Sequence, residues 1–213
     1  GVVSLVRYHE DIADDAPVAH VLRDKFNIPS STEQVLNIFH SEPTIYDYVD
    51  AQGEVIYQVQ RFYPKSFRQR RPDNDGGWIY NVNGVPALPY LLPALQRDQQ
   101  GTIFIVEGEK CADELSRQGL LATTNSGGAG NWKPILNHHF QGRDVVIIPD
   151  NDAAGRTHAQ KVAQNLFGVA NSLKILELPG LPEKGDVFDW FADGNEPRDL
   201  IRLAGQAAIV DQP

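Results

Sequence analysis

The regular alternation of apolar segments and helical patterns after Gly101 constrains the fold of this chain more than any other feature. Four short segments are mostly apolar, and between them apolar residues recur at helical spacing. The apolar segments are 102–106, 121–124, 144–148 and 172–178, and the helical ones are 110–118, 134–139, 153–167, 187–192 and 197–208. Strands that are apolar on both faces and separated by helices predict a parallel sheet covered by helices on both sides.

The sequence before this alternation has a different pattern. Alternating apolar and polar residues at 44–49 and 54–62 surround a turn, which predicts a β-hairpin. Residues 63–77 are polar and rich in turn-forming residues, so we expect an exposed loop there. A short strand at 78–82 and a helix at 91–97 complete this part of the chain.

The chain divides at a polar break just before Gly101. Its start shows an opening strand or coil at 2–8 and two short helical patterns, the second preceded by the capping-box pair Ser30 and Glu33. We therefore expect a smaller α+β domain at residues 1–100 and an α/β domain at residues 101–213.

The numbers of cysteines and methionines limit which cross-links, metal sites and cellular locations we expect for this chain. The 213 residues include one cysteine, Cys111, and no methionine. One cysteine excludes an internal disulfide and a Cys-rich zinc site, so we expect no zinc in this fragment and a reducing, cytoplasmic location. No apolar run approaches the roughly 18 residues that span a bilayer, and no membrane association is expected. The missing methionine leads us to expect a fragment cut from a longer chain.

Basic residues are concentrated in one short segment, although the net charge of −9 argues against a surface that is basic overall. Five of the 19 basic residues fall within positions 61–71, and aromatic residues stand between them. They are Arg61, Lys65, Arg68, Arg70 and Arg71. Such a segment is typical of surfaces that bind the phosphates of a single strand and stack its bases. A solvated loop is the alternative.

Acidic residues follow three of the four predicted parallel strands. Glu107 comes directly after the first strand, Asp150 and Asp152 after the third, and Glu183 and Asp186 lie in the loop after the last. Ligands of open parallel sheets bind beyond the carboxyl ends of the strands, so we expect these carboxylates to share one edge. Like charges held together need a cation, and hard oxygen ligands favour Mg²⁺ or Mn²⁺ over zinc.

Glycines accompany these acids. Gly108 allows close backbone approach, and Gly155 lets a helix begin tightly against the sheet. The loop 126–130 follows the second strand at the same edge, where its N–H groups can hold phosphate oxygens. A flexible connector is the alternative for this loop. A helix N-cap is the alternative for Asp152, with Asp150 as a turn residue.

Together these residues resemble the TOPRIM domain that primases, topoisomerases and some nucleases share. The matching motifs are Glu-Gly at 107–108, Asp-x-Asp-x-x-Gly at 150–155 and Lys-Gly-Asp at 184–186. In detail they are most similar to DNA primases of phages and plasmids. The segments that carry this closer similarity are 106–110, 149–156 and 178–182, and those upstream are 65–72 and 76–78. The TOPRIM resemblance covers residues 101–192, and residues 46–95 resemble the segment that precedes it in such primases.

The resemblance implies a Rossmann-like TOPRIM fold, with a four-stranded parallel sheet flanked by helices, and the activity of a primase core. That activity is metal-dependent nucleotidyl transfer from nucleoside triphosphates, which makes short primers on single-stranded DNA. A replicative helicase or ATPase, in the same or another chain, is the implied partner.

The resemblance also implies roles for particular residues. Glu107, Asp150 and Asp152 would be catalytic and would hold one or two Mg²⁺ or Mn²⁺ ions, with Asp186 as a further ligand. The residues expected at the nucleotide and its phosphates are Gly108, Lys110, Gly127, Gly128 and Gly130, and the five basic residues at 61–71 would hold the template.

One position departs from the primase pattern. Cys111 stands where primases commonly carry an aspartate, four residues after the glutamate. Two other functions stay open. A TOPRIM nuclease would use the same acids to cut nucleic acid. A non-catalytic DNA- or nucleotide-binding module of a replication protein would not use their chemistry.

Overall fold

A computed structural model describes residues 42–211 of the chain. The strand and the two helices expected before residue 42 lie outside the described residues. The chain forms two compact units, one of residues 1–44 and 61–67 and the other of residues 45–60 and 68–213. Of the smaller unit, the structure describes the two short stretches 42–44 and 61–67, with a cis peptide bond between Tyr63 and Pro64.

The first sheet has four strands in chain order. They are β1 (Thr44–Val49), β2 (Val55–Phe62), β3 (Ser66–Pro72) and β4 (Trp78–Ile79). The predicted hairpin is confirmed, because β1 and β2 flank a turn in which Asp50 accepts hydrogen bonds from the N–H groups of Gln52 and Glu54. Gly53 has a φ of 89°, a conformation that favours glycine.

The prediction of an exposed loop over 63–77 is wrong for residues 66–72, which form β3. This strand pairs antiparallel with β4, with Arg71 opposite Ile79 and Pro72 opposite Trp78. Because β3 is polar along both faces, it lacks the alternation that marks a half-buried strand, and backbone pairing holds it extended. The turn that follows is held by Asp73, whose carboxylate accepts from the N–H groups of Asp75 and Gly77.

The second sheet is the predicted parallel one. Its strands are β5 (Ile103–Val106), β6 (Ala122–Thr123), β7 (Asp144–Ile148) and β8 (Ser172–Ile175), in the order β6-β5-β7-β8. All three strand pairs are parallel. This confirms the expected Rossmann-like sheet.

Helices separate and flank these strands. They are α1 (Leu92–Arg97), α2 (Glu109–Arg117), α3 (Ala153–Leu166), α4 (Val187–Ala192) and α5 (Pro197–Gln206). The helix expected at 134–139 is a 3-10 helix, Pro134–Phe140. The strands expected at 121–124 and 172–178 are shorter than predicted, because pairing with their neighbours ends before the apolar run does. None of the helices between residues 42 and 211 is long and apolar enough to cross a lipid bilayer.

The apolar core lies on both faces of the parallel sheet. Phe104 and Val106 of β5 pack in one buried cluster with α2, α4 and α5, and Ile103 and Ile105 pack in another with α3 and the 3-10 helix. Alternate residues of a strand point to opposite faces, so β5 divides its side chains between the two clusters. Tyrosines of β1 and β2 join the first cluster. The domain boundary near residue 100 stays a prediction.

Candidate active site

The carboxyl ends of β5 and β7 form the point at which the order of the parallel sheet reverses. The chain passes from β5 to β6 on one side, whereas β7 and β8 extend the sheet on the other. Ligands of such sheets bind in the crevice at this point. Val106 pairs with Ile148 at the ends of the two strands. Glu107 and Asp150 therefore leave neighbouring strands at almost the same level.

The turn between β7 and α3 is tight. Asp152 is the N-cap of α3, and its Oδ1 accepts from the N–H of Gly155 at 2.7 Å. A Cβ at Gly155 would lie 2.5 Å from the backbone oxygen of Asp150, so this position requires glycine. This confirms that Gly155 lets the helix begin against the sheet. The cap uses Oδ1, and metal binding by Asp152 would use its other oxygen.

Asp186 begins α4 in a similar way. Its Oδ1 accepts from the N–H of Asp189 at 3.0 Å, and the carboxylate of Asp189 accepts from the N–H of Asp186, which completes a capping box. The preceding residue, Gly185, accepts a hydrogen bond from the N–H of Asn151 at 2.9 Å. Asp186 is thereby joined to the loop that carries Asp150 and Asp152.

Cys111 is buried in the first turn of α2. Burial raises the pKa of its thiol, and the negative charges of Asp186 and Asp150 raise it further. The thiol is therefore protonated.

Two other acids of α2 accept hydrogen bonds from tyrosines. The hydroxyl of Tyr48 donates to Glu109 at 2.8 Å, and the hydroxyl of Tyr90 donates to Asp113 at 2.9 Å. Burial and the charge of Glu109 raise the pKa of Tyr48. These contacts join the hairpin and the segment before α1 to α2, and no local pattern in the sequence predicts them.

The residues expected to contact the nucleotide's phosphates differ in the contacts that they already make. Gly108 is the N-cap of α2, and its N–H donates to the side chain of Thr124 at 3.1 Å. The Nζ of Lys110 lies 3.5 Å from the centre of the Phe188 ring.

The three glycines of the loop after β6, Gly127, Gly128 and Gly130, all have positive φ angles. The N–H of Gly130 donates to Nδ1 of His158 at 3.0 Å. This contact ties the loop to α3.

A cavity of about 330 Å³ lies beside this glycine loop. Its apolar wall includes Val82, Val85 and Leu88, and its polar lining comprises Tyr57, Gln69, Asn125, Ser126, Asn131 and Lys133. Asn125 is 2% exposed, and its Oδ1 has no hydrogen-bond partner within residues 42–211. A buried carbonyl oxygen of this kind favours a ligand that can donate a hydrogen bond.

The basic segment is divided between the two units. Arg61 and Lys65 belong to the smaller unit, in which Tyr63 and Phe67 are 56% and 49% exposed. The other three basic residues, Arg68, Arg70 and Arg71, lie on β3 in the larger unit.

Arg70 already has two partners. It donates to Gln58 at 2.7 Å and lies 4.0 Å above the ring of Trp78. Gln58 in turn donates to Asp47, so that Arg70 belongs to a polar ladder that crosses the first sheet.

The acids at the sheet edge suit a hard divalent ion. Carboxylate oxygens are the donors that Mg²⁺ and Mn²⁺ prefer. Across the described residues, however, no three His, Cys, Asp or Glu side chains are grouped closely enough to hold an ion together. Mg²⁺ commonly takes one or two carboxylates and completes its shell with phosphates and water. An ion at this edge would therefore need further ligands besides these side chains.

No protein-family model and no curated protein sequence matches this chain. Solved structures with a similar fold include three from primases. The zinc-binding and RNA polymerase domains of Aquifex aeolicus primase have a TM-score of 0.61 at 16% identity, over 93% of this chain and 51% of that one. The DnaG primase catalytic domain bound to single-stranded DNA has a TM-score of 0.58 at 18% identity, over 88% and 64%.

The third is the primase fragment of the bacteriophage T7 primase-helicase protein, with a TM-score of 0.52 at 18% identity, over 75% of this chain and 60% of that one. This chain spans between half and two thirds of the length of these structures. Its fold is that of a primase catalytic core, as its motifs led us to expect.

Proposed function

We propose that this chain is the core of a DNA primase of the phage and plasmid type, which joins nucleotides into short primers on single-stranded DNA. The observation that carries the proposal is the position of the acids: Glu107 and Asp150 follow β5 and β7 where the sheet order reverses, and the hydrogen bond from Asn151 to Gly185 joins the loop of Asp186 to that of Asp150. In a fold like that of primase cores, this is the edge at which a ligand is expected.

In this proposal Glu107, Asp150, Asp152 and Asp186 hold one or two Mg²⁺ or Mn²⁺ ions. When bound, such an ion neutralises phosphate charge and lowers the pKa of an attacking hydroxyl. The chain's own contribution is to orient the carboxylates. Two of them, Asp152 and Asp186, are fixed by capping the helices that they precede. Because each cap uses one oxygen, the direction of the whole carboxyl group is set.

The nucleoside triphosphate would lie between this edge and the glycine loop. The phosphates would contact Lys110 and the N–H groups near Gly127 and Gly128. The base and sugar would enter the cavity lined by Asn125 and Lys133, whose volume of about 330 Å³ is within the range of small-ligand sites. Gly108 and Gly130 would contribute by shaping the backbone, since their N–H groups already donate to Thr124 and His158.

The template would lie along the basic segment. Similarity to a DnaG domain solved with single-stranded DNA supports this choice of nucleic acid. Arg61, Lys65, Arg68 and Arg71 would contact phosphates, the last two from β3. Arg70 would act by orienting the ladder formed with Gln58 and Trp78. Similarity to a fragment of a primase-helicase supports a helicase or ATPase as the partner.

Primer synthesis on single-stranded DNA tests the proposal. Asp150→Asn and Glu107→Gln should each lower Mg²⁺-dependent synthesis at least about 100-fold, because an ion held at this edge is expected to supply several kcal/mol. Asp144→Asn is the matched control, since Asp144 lies exposed at the opposite end of the same strand. Undiminished synthesis by either site variant would contradict the assignment of the acids.

The same preparation separates the alternative functions. A TOPRIM nuclease would cut labelled DNA with Mg²⁺ in the absence of nucleotides. A non-catalytic binding module would take up neither Mg²⁺ nor Mn²⁺ in calorimetric titration, even with a nucleotide present.

A further inference from the structure

Asn151, between the two aspartates of the loop after β7, forms hydrogen bonds to a segment some 30 residues further along the chain. Its backbone N–H donates to the oxygen of Gly185 at 2.9 Å, and its backbone oxygen accepts from the N–H of Lys184 at 3.0 Å. Its side-chain amide donates to the oxygens of Leu181 and Pro182 at 2.8 and 3.0 Å. One residue thereby binds four of the five positions from 181 to 185, namely 181, 182, 184 and 185.

The side chain of Asn151 is itself oriented. The guanidinium of Arg156, one turn into α3, donates to its Oδ1 at 3.1 Å. This contact identifies the oxygen side of the amide and directs the NH₂ group toward Leu181 and Pro182. An aspartate here could accept from Arg156 but could not donate to the two backbone oxygens.

The bound loop is strained and tightly packed. Lys184 has a φ of 63°, a conformation that non-glycine residues adopt only when their surroundings impose it. Gly185 is buried, and a Cβ there would lie 2.9 Å from Cδ of Pro182. Such a loop needs contacts from outside to keep this shape, and Asn151 supplies them.

The loop ends at Asp186, and Asn151 stands between Asp150 and Asp152. The three aspartates are therefore linked through a single residue that is not itself an acid. We propose that Asn151 is a positioning residue, which holds Asp186 at the site formed by Asp150 and Asp152 and so sets the affinity of that site for a divalent ion. This inference rests on the proposed function, since it concerns the same ion.

Two variants test the role of the side chain, because the backbone hydrogen bonds of residue 151 persist in both. In Asn151→Ala, amide hydrogen exchange of residues 181–186 should become faster, and the affinity for Mn²⁺, measured by electron paramagnetic resonance with a nucleoside triphosphate present, should fall about 10–100-fold. In Asn151→Asp the added charge favours the cation, but exchange in the loop should still become faster, because the amide donors are lost.

Asn171→Ala is the matched control. Asn171 donates to Asp144 at 2.8 Å, the same length as the Asn151–Leu181 bond, at the opposite end of the parallel sheet. Its loss should leave Mn²⁺ affinity and exchange at 181–186 at the wild-type values. Melting temperatures of all three variants show that each is folded under the conditions of the titration.

Unchanged exchange of residues 181–186 in both Asn151 variants would overturn the inference, and so would unchanged Mn²⁺ affinity in Asn151→Ala. A wild-type protein that binds no Mn²⁺ would contradict the proposed function. In that event the exchange measurement alone decides whether Asn151 holds the loop of Asp186.

Discussion

Cys111 combines with its acidic neighbours in a way that a carboxylate could not. Because its pKa is raised, the thiol of Cys111 is uncharged and adds no repulsion to the negative charges of Asp186 and Asp150. An aspartate at this position would place a third negative charge beside the other two. A site with this third carboxylate would have one more ligand for a cation, but it would need the cation to offset the repulsion between the carboxylates.

We expect Cys111→Asp to respond more strongly to Mg²⁺ than the wild type does. Without metal its melting temperature should be lower, because like charges meet in a buried place. With Mg²⁺ at about 100 times its dissociation constant, binding should restore about 2.7 kcal/mol of stability. Thermal unfolding with and without MgCl₂ measures this, with Cys111→Ser as the uncharged control. An equal Mg²⁺ response of the two variants would contradict a cation site beside Cys111.

At the scale of elements, the start of α3 depends on the absence of a side chain at Gly155. The helix begins so close to β7 that a Cβ would lie within 3.1 Å of three backbone atoms of Asp150. Backbone atoms cannot move aside as a flexible side chain can. The position of α3, and with it the cap by Asp152, therefore follows from one glycine.

We expect Gly155→Ala to lower the free energy of unfolding by about 1–3 kcal/mol, the usual cost of overpacking. It should also reduce primer synthesis, since relief of the clash displaces Asp150 or the start of α3. Gly205→Ala is the control, because Gly205 also lies in a helix but has nothing within 4 Å of the Cβ position. There alanine should be neutral or stabilising, by up to about 1 kcal/mol. Denaturant unfolding of both variants provides the comparison, and equal losses would contradict the role of the close contact.

The sequence predicts some elements much better than others, for physical reasons. β5 and β7 are buried on both faces, so their apolar runs are unmistakable, and glycine and aspartate mark the start of α3. The sequence pattern does not predict β3, because this strand is stabilised by backbone pairing and not by burial of an apolar face. The contacts of Asn151 and of Tyr48 with Glu109 join residues 30 and 61 positions apart, and no local pattern encodes such distances.

At the scale of the whole chain, the two faces of the parallel sheet pack against different elements. The face with α2 holds Cys111 and the tyrosines of the first sheet. The face with α3 packs against the 3-10 helix, and His158 and Lys161 of α3 both form hydrogen bonds to Gly130 of the glycine loop. The imidazole of His158 is neutral, because its Nδ1 must accept the N–H of Gly130.

The stability of the protein should therefore decrease in weakly acidic solution. Burial and, after it, the charge of Lys161 lower the pKa of His158, and burial with the neighbouring His138 lowers the pKa of His139 to about 4. In the unfolded chain both histidines titrate near pH 6.5. Above that pH both histidines are neutral in the folded and in the unfolded chain, so their contribution to the free energy of unfolding is constant. As the pH falls below about 6.5, the unfolded chain takes up protons that the folded chain does not, so the free energy of unfolding decreases.

Urea unfolding at pH 5, 6, 7 and 8 measures this dependence. His158→Asn keeps an oxygen that can accept from Gly130 but removes the titrating group, so its stability should fall less steeply between pH 7 and 5 than that of the wild type. His139→Asn should reduce the remaining slope, since His139 is the second histidine whose pKa is lowered. A wild-type protein as stable at pH 5 as at pH 8 would contradict the lowered pKa values of the two histidines.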